Sequence, residues 1–372
     1  METHYGTELW KGDRQFPSAL IDTKVVDIDG LIELGCRVVI SAVAPRLGFL
    51  EDKLTEAGIT VISISPYKRQ EGALCVLEAN FNELHSRLTT SLNEHFTKTN
   101  GKLVITPSNT LNTSNTLNMG EEAAPQPSML PLVKSPNCVC CGTSTVLSGL
   151  FSIFGPMENV SVTTFQSLSG RGDSKYPSEL VVGNVYPLRS TKEPTESLIC
   201  EELAHVLGTK LINGRNSLSV AAYRVSVQRG HLIDLRIRFS DLEQRKKFIE
   251  CGDDVEKKKM LMEEIYMQLE QWTPLLDSVS GNVDVLKEHL PSVPVHPIMC
   301  SREEGAPRPK SHHLCKETEH TNGYQVTVGN VGINDGPYDL VLTLVVDNLV
   351  KGALGAALQL LEYTLMVTKA RE

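Results

Sequence analysis

No run of apolar residues in this chain approaches the ~18–20 that a bilayer crossing needs. The longest, such as Leu340 to Val346, stop well short of it. The start, Met-Glu-Thr-His-Tyr-Gly, lacks a basic region followed by an apolar stretch, so no signal peptide is read there. A disulfide framework is missing too: the nine cysteines are odd in number and irregularly spaced. A cytoplasmic protein in a reducing compartment is the expectation. Positive charge is in deficit, with 36 Lys and Arg against 45 Asp and Glu, a net −9. Such a chain repels phosphate backbones, which argues against nucleic acid as a partner. Small anions remain open, because a local basic pocket decides those. The basic stretches Arg245-Lys246-Lys247 and Lys257-Lys258-Lys259 are interleaved with Glu243, Glu250 and Glu256 and read as solvated helix faces. No tandem repeat is found.

What is present suits two domains: 372 residues, 41% of them hydrophobic. Asp27 to Leu34 reads as a helix, Arg37 to Val43 as a strand, Leu50 to Ala57 as a helix closed by Gly58, and Ile59 to Ser63 as a buried strand. This alternation predicts a parallel, doubly wound sheet. Asn80 to Phe96 reads as a helix, and Lys102 to Ile105 and Leu132 to Lys134 as further strands. Between these strands, Pro107 to Pro131 is rich in Thr, Asn, Ser and Pro and reads as an inserted loop. Beyond Cys138 the pattern becomes α+β. Helices are predicted over Thr143–Phe154, Glu196–Leu207, Val255–Trp272, Val283–Leu290 and Leu349–Lys369. Strands are predicted over Val160–Phe165, Gln325–Val331 and Leu340–Val346, with Val220–Val227 and His231–Phe239 as an antiparallel pair around Gln228-Arg229-Gly230.

Cys138, Cys140 and Cys141 admit three readings. With His312, His313 and Cys315 they could bind metal, although the paired Cys-x2-4-Cys spacing of zinc sites is absent. Cys138 lies where a strand meets a helix, and a helix N-terminus favours a thiolate nucleophile. Gly142 would allow a close backbone approach there. The third reading is an inert buried thiol.

The run Ser135-Pro136-Asn137-Cys138-x-x-x-Gly142 resembles the active-site signature of the aspartate-semialdehyde dehydrogenases, above all their fungal and archaeal branch. Further pieces follow in register. They are Thr164 to Gly172, Arg224 to His231 with Arg and His seven residues apart, Leu290 to Pro297, Ala306 to Pro309, and Asp347 to Ala353. The resemblance runs from about Tyr5 to the C-terminus, interrupted by the 107–131 insertion. It implies a Rossmann-like domain over residues 1–137, incomplete here, and an α+β catalytic and dimerisation domain over 138–345. A C-terminal helix over 346–372 would pack back on the first domain. It also implies roles. Cys138 would be the nucleophile, His231 the acid/base and Gln166 the residue that orients the substrate. Arg224 would grip the substrate carboxylate with Asn137 nearby, and Lys68 or Arg69 would hold phosphate. Ser169, Gly170 and Asn348 would border the cofactor, NADP. The substrate would be a small anionic acyl compound, and the assembly a homodimer or homotetramer, with no metal, nucleic acid or membrane.

Three departures stand against the family pattern. There is no Gly-x-x-Gly-x-x-Gly turn, and His4 to Lys11 already resembles the region after the second strand. A strand-helix-strand unit of ~30 residues is therefore expected to be missing, at the expense of dinucleotide binding. The phosphate grip reads Ser63-Ile64-Ser65-Pro66-Tyr67-Lys68-Arg69. A Glu-x-x-Lys pair of the family's substrate pocket falls at Thr195 and Leu198, which predicts a less polar pocket. Three functions are consistent with this chain. One is NADP-dependent reductive dephosphorylation of an acyl phosphate such as aspartyl 4-phosphate. The second is a cofactor-free Cys/His acyl-transfer or hydrolytic enzyme. The third is an inactive partner of a complete homologue. Arg171-Gly172-Asp173 matches a cell-adhesion tripeptide, but the active-site loop accounts for it.

Overall fold

The computed structural model describes residues 3–4, 24–69, 72–99, 102–105, 132–170, 181–189, 194–276, 281–312 and 323–369. The 107–131 insertion, most of the His4–Lys11 stretch, the Arg-Gly-Asp tripeptide, His313 and Cys315 lie outside these.

The first part builds a small α/β unit. Strands β1 (Thr3–His4) and β2 (Lys24–Val25) pair with each other. Helix α1 (Ile28–Glu33) starts where the Asp27 carboxylate accepts from Gly30 N at 2.8 Å. Then come β3 (Val38–Ser41), α2 (Phe49–Glu56), β4 (Thr60–Ser63), β5 (Ala73–Leu74) and α3 (Leu77–His95). Strands β6 (Phe96–Thr99) and β7 (Lys102–Ile105) form a separate antiparallel pair. The sequence places Lys102–Ile105 with the other strands. Its partner is instead the segment just before it, across Asn100-Gly101, a dipeptide that favours short hairpins. Strand β8 (Leu132–Lys134) completes a four-stranded sheet, ordered β3-β4-β8-β5 and parallel throughout. This is the parallel α/β sheet that the alternation predicts.

The second part begins with α4 (Cys138–Phe154), followed by β9 (Met157–Gln166), β10 (Val185–Pro187), α5 (Thr195–Leu211), β11 (Leu218–Val225) and β12 (His231–Phe239). Next are α6 (Leu242–Ile249), α7 (Val255–Gln271), α8 (Val283–His289), β13 (Ile298–Ser301) and α9 (Pro309–His312). Strands β14 (Val326–Asp335) and β15 (Tyr338–Val346) lead to a π-helical turn at Val350–Leu354 and to α10 (Gly355–Lys369). A seven-stranded mixed sheet runs β10-β11-β9-β12-β15-β14-β13.

Two expectations need correction. β11 and β12 are not a hairpin: β9 lies between them, parallel to β11 and antiparallel to β12. The link from Ser226 to Gly230 spans two strand spacings, about 10 Å, which five residues reach easily. Nor is the last helix continuous. At Gly352 and Ala353 the backbone leaves helical geometry (φ −106° and −147°). There it lies against Cys138, for reasons given below.

One face of the seven-stranded sheet carries α4, α5 and α7 and the main core, with Val146, Leu147, Leu150, Leu203, Ile265 and Leu269 buried. Along β12 buried and half-buried residues alternate strictly, as a sheet with one covered face requires. The opposite face stays half-exposed, and on it Phe165 and Tyr223 stack at 5.9 Å. Helix α10 packs through Ala357, Leu360 and Tyr363 into the core beneath the parallel sheet, against Ile62 and Val133.

Candidate active site

The site is assembled by register. Gln166, the last residue of β9, pairs with Arg224 of β11. Leu232 of β12 pairs with Phe165, which sets His231 beside Gln166 one step along. All three are buried and fall on the same face, since alternate residues of a strand share a face. His231 also pairs with Val346, so the chain leaving β15 brings Asp347 and Asn348 to the same corner.

Cys138 reaches that corner from the start of α4. Asn137 caps α4, its Oδ1 accepting from Cys140 N at 3.0 Å, so Cys138 is the first residue of the helix. The helix thus starts five residues before the predicted Thr143. Gly142 lets it settle on the sheet: a Cβ there would meet the Val346 side chain at 3.2 Å. Gly352 is tighter still, since a Cβ would lie 2.1 Å from Cys138 Cβ. Only glycine fits, and this contact interrupts the last helix. Asp347 fixes the turn by accepting from Leu349 N and Val350 N at 2.9 and 3.1 Å, and it pairs with Arg229 at 2.9 Å.

These groups line one cleft of about 360 Å³, which holds Cys138, Gln166, Arg224, His231, Asn137, Ser169, Gly170 and Asn348 together. Lys68 is not among them. Its ammonium sits on Asp52 at 3.2 Å, at a left-handed backbone position (φ 43°). Arg69 takes its place in the cleft, paired with Glu202 at 2.6 Å and donating to Ile64 O at 3.1 Å. Asn137 donates to the other oxygen of Glu202 through its backbone N (2.8 Å) and its side-chain amide. Thr195 and Leu198 also line the cleft.

Sequence reasoning missed three residues. Glu202 ties the α4 cap to Arg69 from a partner 133 positions away, and no local signal marks it. Gly352 lies inside a quoted motif, yet its reason is the contact with Cys138. Ser167 is the hub. Its backbone N donates to His231 Nδ1 at 3.1 Å, its carbonyl accepts from Arg224 Nη1 at 2.6 Å, and its hydroxyl donates to Asn348 Oδ1 at 3.0 Å. Asn348 in turn accepts from Gly230 N at 2.9 Å and donates to Ser169 Oγ at 3.0 Å.

Because Nδ1 of His231 accepts a backbone N–H, the hydrogen of the neutral ring sits on Nε2. Burial, and then the charge of Arg224, push the imidazole down to about 3, so it is neutral near pH 7. Burial likewise pushes the Cys138 thiol well above its ordinary value, with Cys141 and Asp347 adding to the shift and Lys351 opposing it. The cleft therefore holds a neutral thiol and a neutral imidazole, and the helix N-terminus and Lys351 act on the thiol toward the thiolate. Lys351 itself forms a buried pair with Glu78 of α3. No group of three or more His, Cys, Asp or Glu is placed to hold a metal among the described residues.

A buried Cys at a helix start, an Arg and an uncharged His thus share one cleft on a two-part α/β scaffold. Residues 147–351 match the model of the semialdehyde dehydrogenase family's dimerisation domain. The chain belongs to the semialdehyde dehydrogenase family. It is 22% identical over 355 residues to the aspartate-semialdehyde dehydrogenase of Trichophyton rubrum, covering 94% of this chain and 82% of that protein. To that of Saccharomyces cerevisiae it is 22% identical, covering 96% and 85%. To that of Methanothermobacter thermautotrophicus it is 26% identical, over 61% and 57%. The fold resembles that of aspartate semialdehyde dehydrogenase with NADP from Candida albicans. There the TM-score is 0.69 at 19% identity, covering 97% of this chain and 86% of that one.

Proposed function

We propose that this chain is an NADP-dependent dehydrogenase of the aspartate-semialdehyde type. It would carry out reductive dephosphorylation of an acyl phosphate such as aspartyl 4-phosphate, and in reverse oxidise the semialdehyde. The observation that carries this reading is the row Gln166–Arg224–His231 facing Cys138 across one cleft. Cys138 attacks the acyl carbon, the C–S bond forms, and phosphate leaves with the electrons of the C–O bond and takes up the thiol proton. Arg224 binds the distal carboxylate through a planar fork that Lys does not reproduce. Gln166 and Asn137 border the reacting group, and Arg69, rather than Lys68, stands where phosphate would depart. His231 presents Nε2–H to the oxygen that becomes charged as the thioester is reduced, and so moves the proton of the hemithioacetal.

The residues around the thiol fit a nicotinamide. Gly170 has no side chain, and a Cβ there would already lie 3.4–3.5 Å from His231 and Arg224. Ser169, Gly170 and Asn348 line the cleft with Cys138. NADPH supplies hydride to the thioester when bound. The half-exposed row Leu232–Phe165–Tyr223, on the face opposite the site, is the surface through which two copies would pair. The domains would divide at residues 137 and 345. All the cysteines described are free, and no helix among the described residues is long and apolar enough to cross a membrane.

The test is phosphate-dependent NADP reduction with aspartate semialdehyde by purified protein. The reading predicts turnover that disappears without phosphate. Absence of both turnover and NADPH binding would remove it.

A further inference from the structure

Cys138 and Cys141 stand three residues apart at the first turn of α4. In a regular helix that spacing puts their Cα atoms about 5 Å apart, inside the range a disulfide spans. Both side chains lean toward the helix N-terminus, as helical side chains do. Cys141 shows it directly: its Sγ lies 3.5 Å from the carbonyl of Pro136, back beyond Cys138. Cys140 lies two residues from Cys138, a spacing that does not put side chains on one helix face. A small cavity of about 10 Å³ borders Cys141 and is shared with Cys75, Glu78 and Lys351. Burial pushes the Cys141 thiol up to about 12, and the ammonium of Lys351, which borders that cavity, opposes that shift. Only Cys138 of the two opens on the cleft, at 7% exposure against 1% for Cys141.

We infer that Cys138 and Cys141 form an oxidisable dithiol in which Cys138 meets a small hydroperoxide and Cys141 resolves the product. The sulfur of Cys138 attacks the O–O bond, an S–O bond forms, and the alcohol or water leaves, giving a sulfenic acid. The sulfur of Cys141 then attacks that of Cys138. An S–S bond forms, the S–O bond breaks, and hydroxide leaves with the thiol proton as water. Two thiols lose two electrons and two protons, and the hydroperoxide takes them up. The disulfide blocks the nucleophile and is restored by thiol reductants, whereas an unresolved sulfenic acid goes on to irreversible sulfinic acid.

The experiment is treatment of the purified protein with hydrogen peroxide, alkylation of remaining thiols, and peptide mass mapping. It reads thiol chemistry, so it stands apart from any assay of turnover. Expected in the unaltered protein is a Cys138–Cys141 cross-link that dithiothreitol removes, with loss of two alkylatable thiols. In Cys141→Ser the cross-link is lost and dimedone traps a sulfenic acid at Cys138; the serine hydroxyl can still donate to Pro136. Cys75→Ser and Cys140→Ser keep the cross-link. Sulfinic acid at Cys138 of the unaltered protein, or a cross-link between Cys75 and Cys141 in its place, overturns the inference.

Discussion

The two sheets finish their strand ends in opposite ways. In the parallel sheet, Ser41, Ser63 and Lys134 form one row across β3, β4 and β8. Glu51 of α2 seals it. One carboxylate oxygen accepts from both serine hydroxyls at 2.6 Å, and the other meets Lys134 Nζ at 2.5 Å. All four residues are buried. In the mixed sheet, the row Gln166–Arg224–His231 lines an open cleft and faces Cys138. Equally polar rows thus do different work. The closed one satisfies its charges internally and holds structure together, while the open one keeps hydrogen-bonding groups on the cleft.

That contrast can be broken one residue at a time. Cys138→Ser should abolish acyl transfer, by about three orders of magnitude or more, with the melting temperature unmoved; a labelled acyl phosphate checks the first and calorimetry the second. Lys134→Met should do the reverse. It leaves Glu51 buried without its cation and costs about 3–5 kcal/mol in denaturant unfolding, with turnover per folded molecule retained. Pairing it with Glu51→Leu should recover most of that loss. Equal effects of Lys134→Met on turnover and stability would erase the distinction between the rows.

Arg224→Lys should lower kcat/KM by about a hundredfold, some 2.7 kcal/mol, through loss of the two-pronged carboxylate contact. A substrate analogue without that carboxylate should feel the change far less, which steady-state kinetics resolves. The last effect, read as a slope against pH, concerns His231. Its folded-state value, about 3, lies below the ordinary 6.5, so the unfolded chain takes up a proton in that window and the native one does not. Stability contributed by the neutral ring is complete above pH 6.5 and is lost as pH falls toward 3, by up to about 1.4 kcal/mol per pH unit. His231→Gln should flatten that slope in unfolding curves taken between pH 4 and 6.5; an unchanged slope would contradict the buried neutral imidazole.

Much of the open row was legible in the sequence because its residues sit in short segments of distinctive pattern. Ser-Pro-Asn-Cys, Gln166 at a strand end, and Arg224 and His231 seven apart are local signals, and the structure brings all of them to one cleft. The parallel α/β sheet was legible for a similar reason, through alternating short strands and helices. What escaped was non-local. Gln228-Arg229-Gly230 carries a turn signal, but nothing in it tells that β9 inserts between β11 and β12. Arg69 differs from Lys68 only in which neighbour its side chain finds, and that neighbour, Glu202, lies on a distant helix. The break at Gly352 comes from the approach of Cys138, not from any helix-stopping residue pattern.

The central claim is that Cys138 carries the acyl group. Incubation with an acyl phosphate, followed by acid quench and peptide mass mapping, tests it most directly. The account predicts a hydroxylamine-sensitive acyl adduct on Cys138, and none on Cys140, Cys141 or Cys251. An adduct spread over several cysteines, or none on Cys138 while phosphate is released, would contradict it.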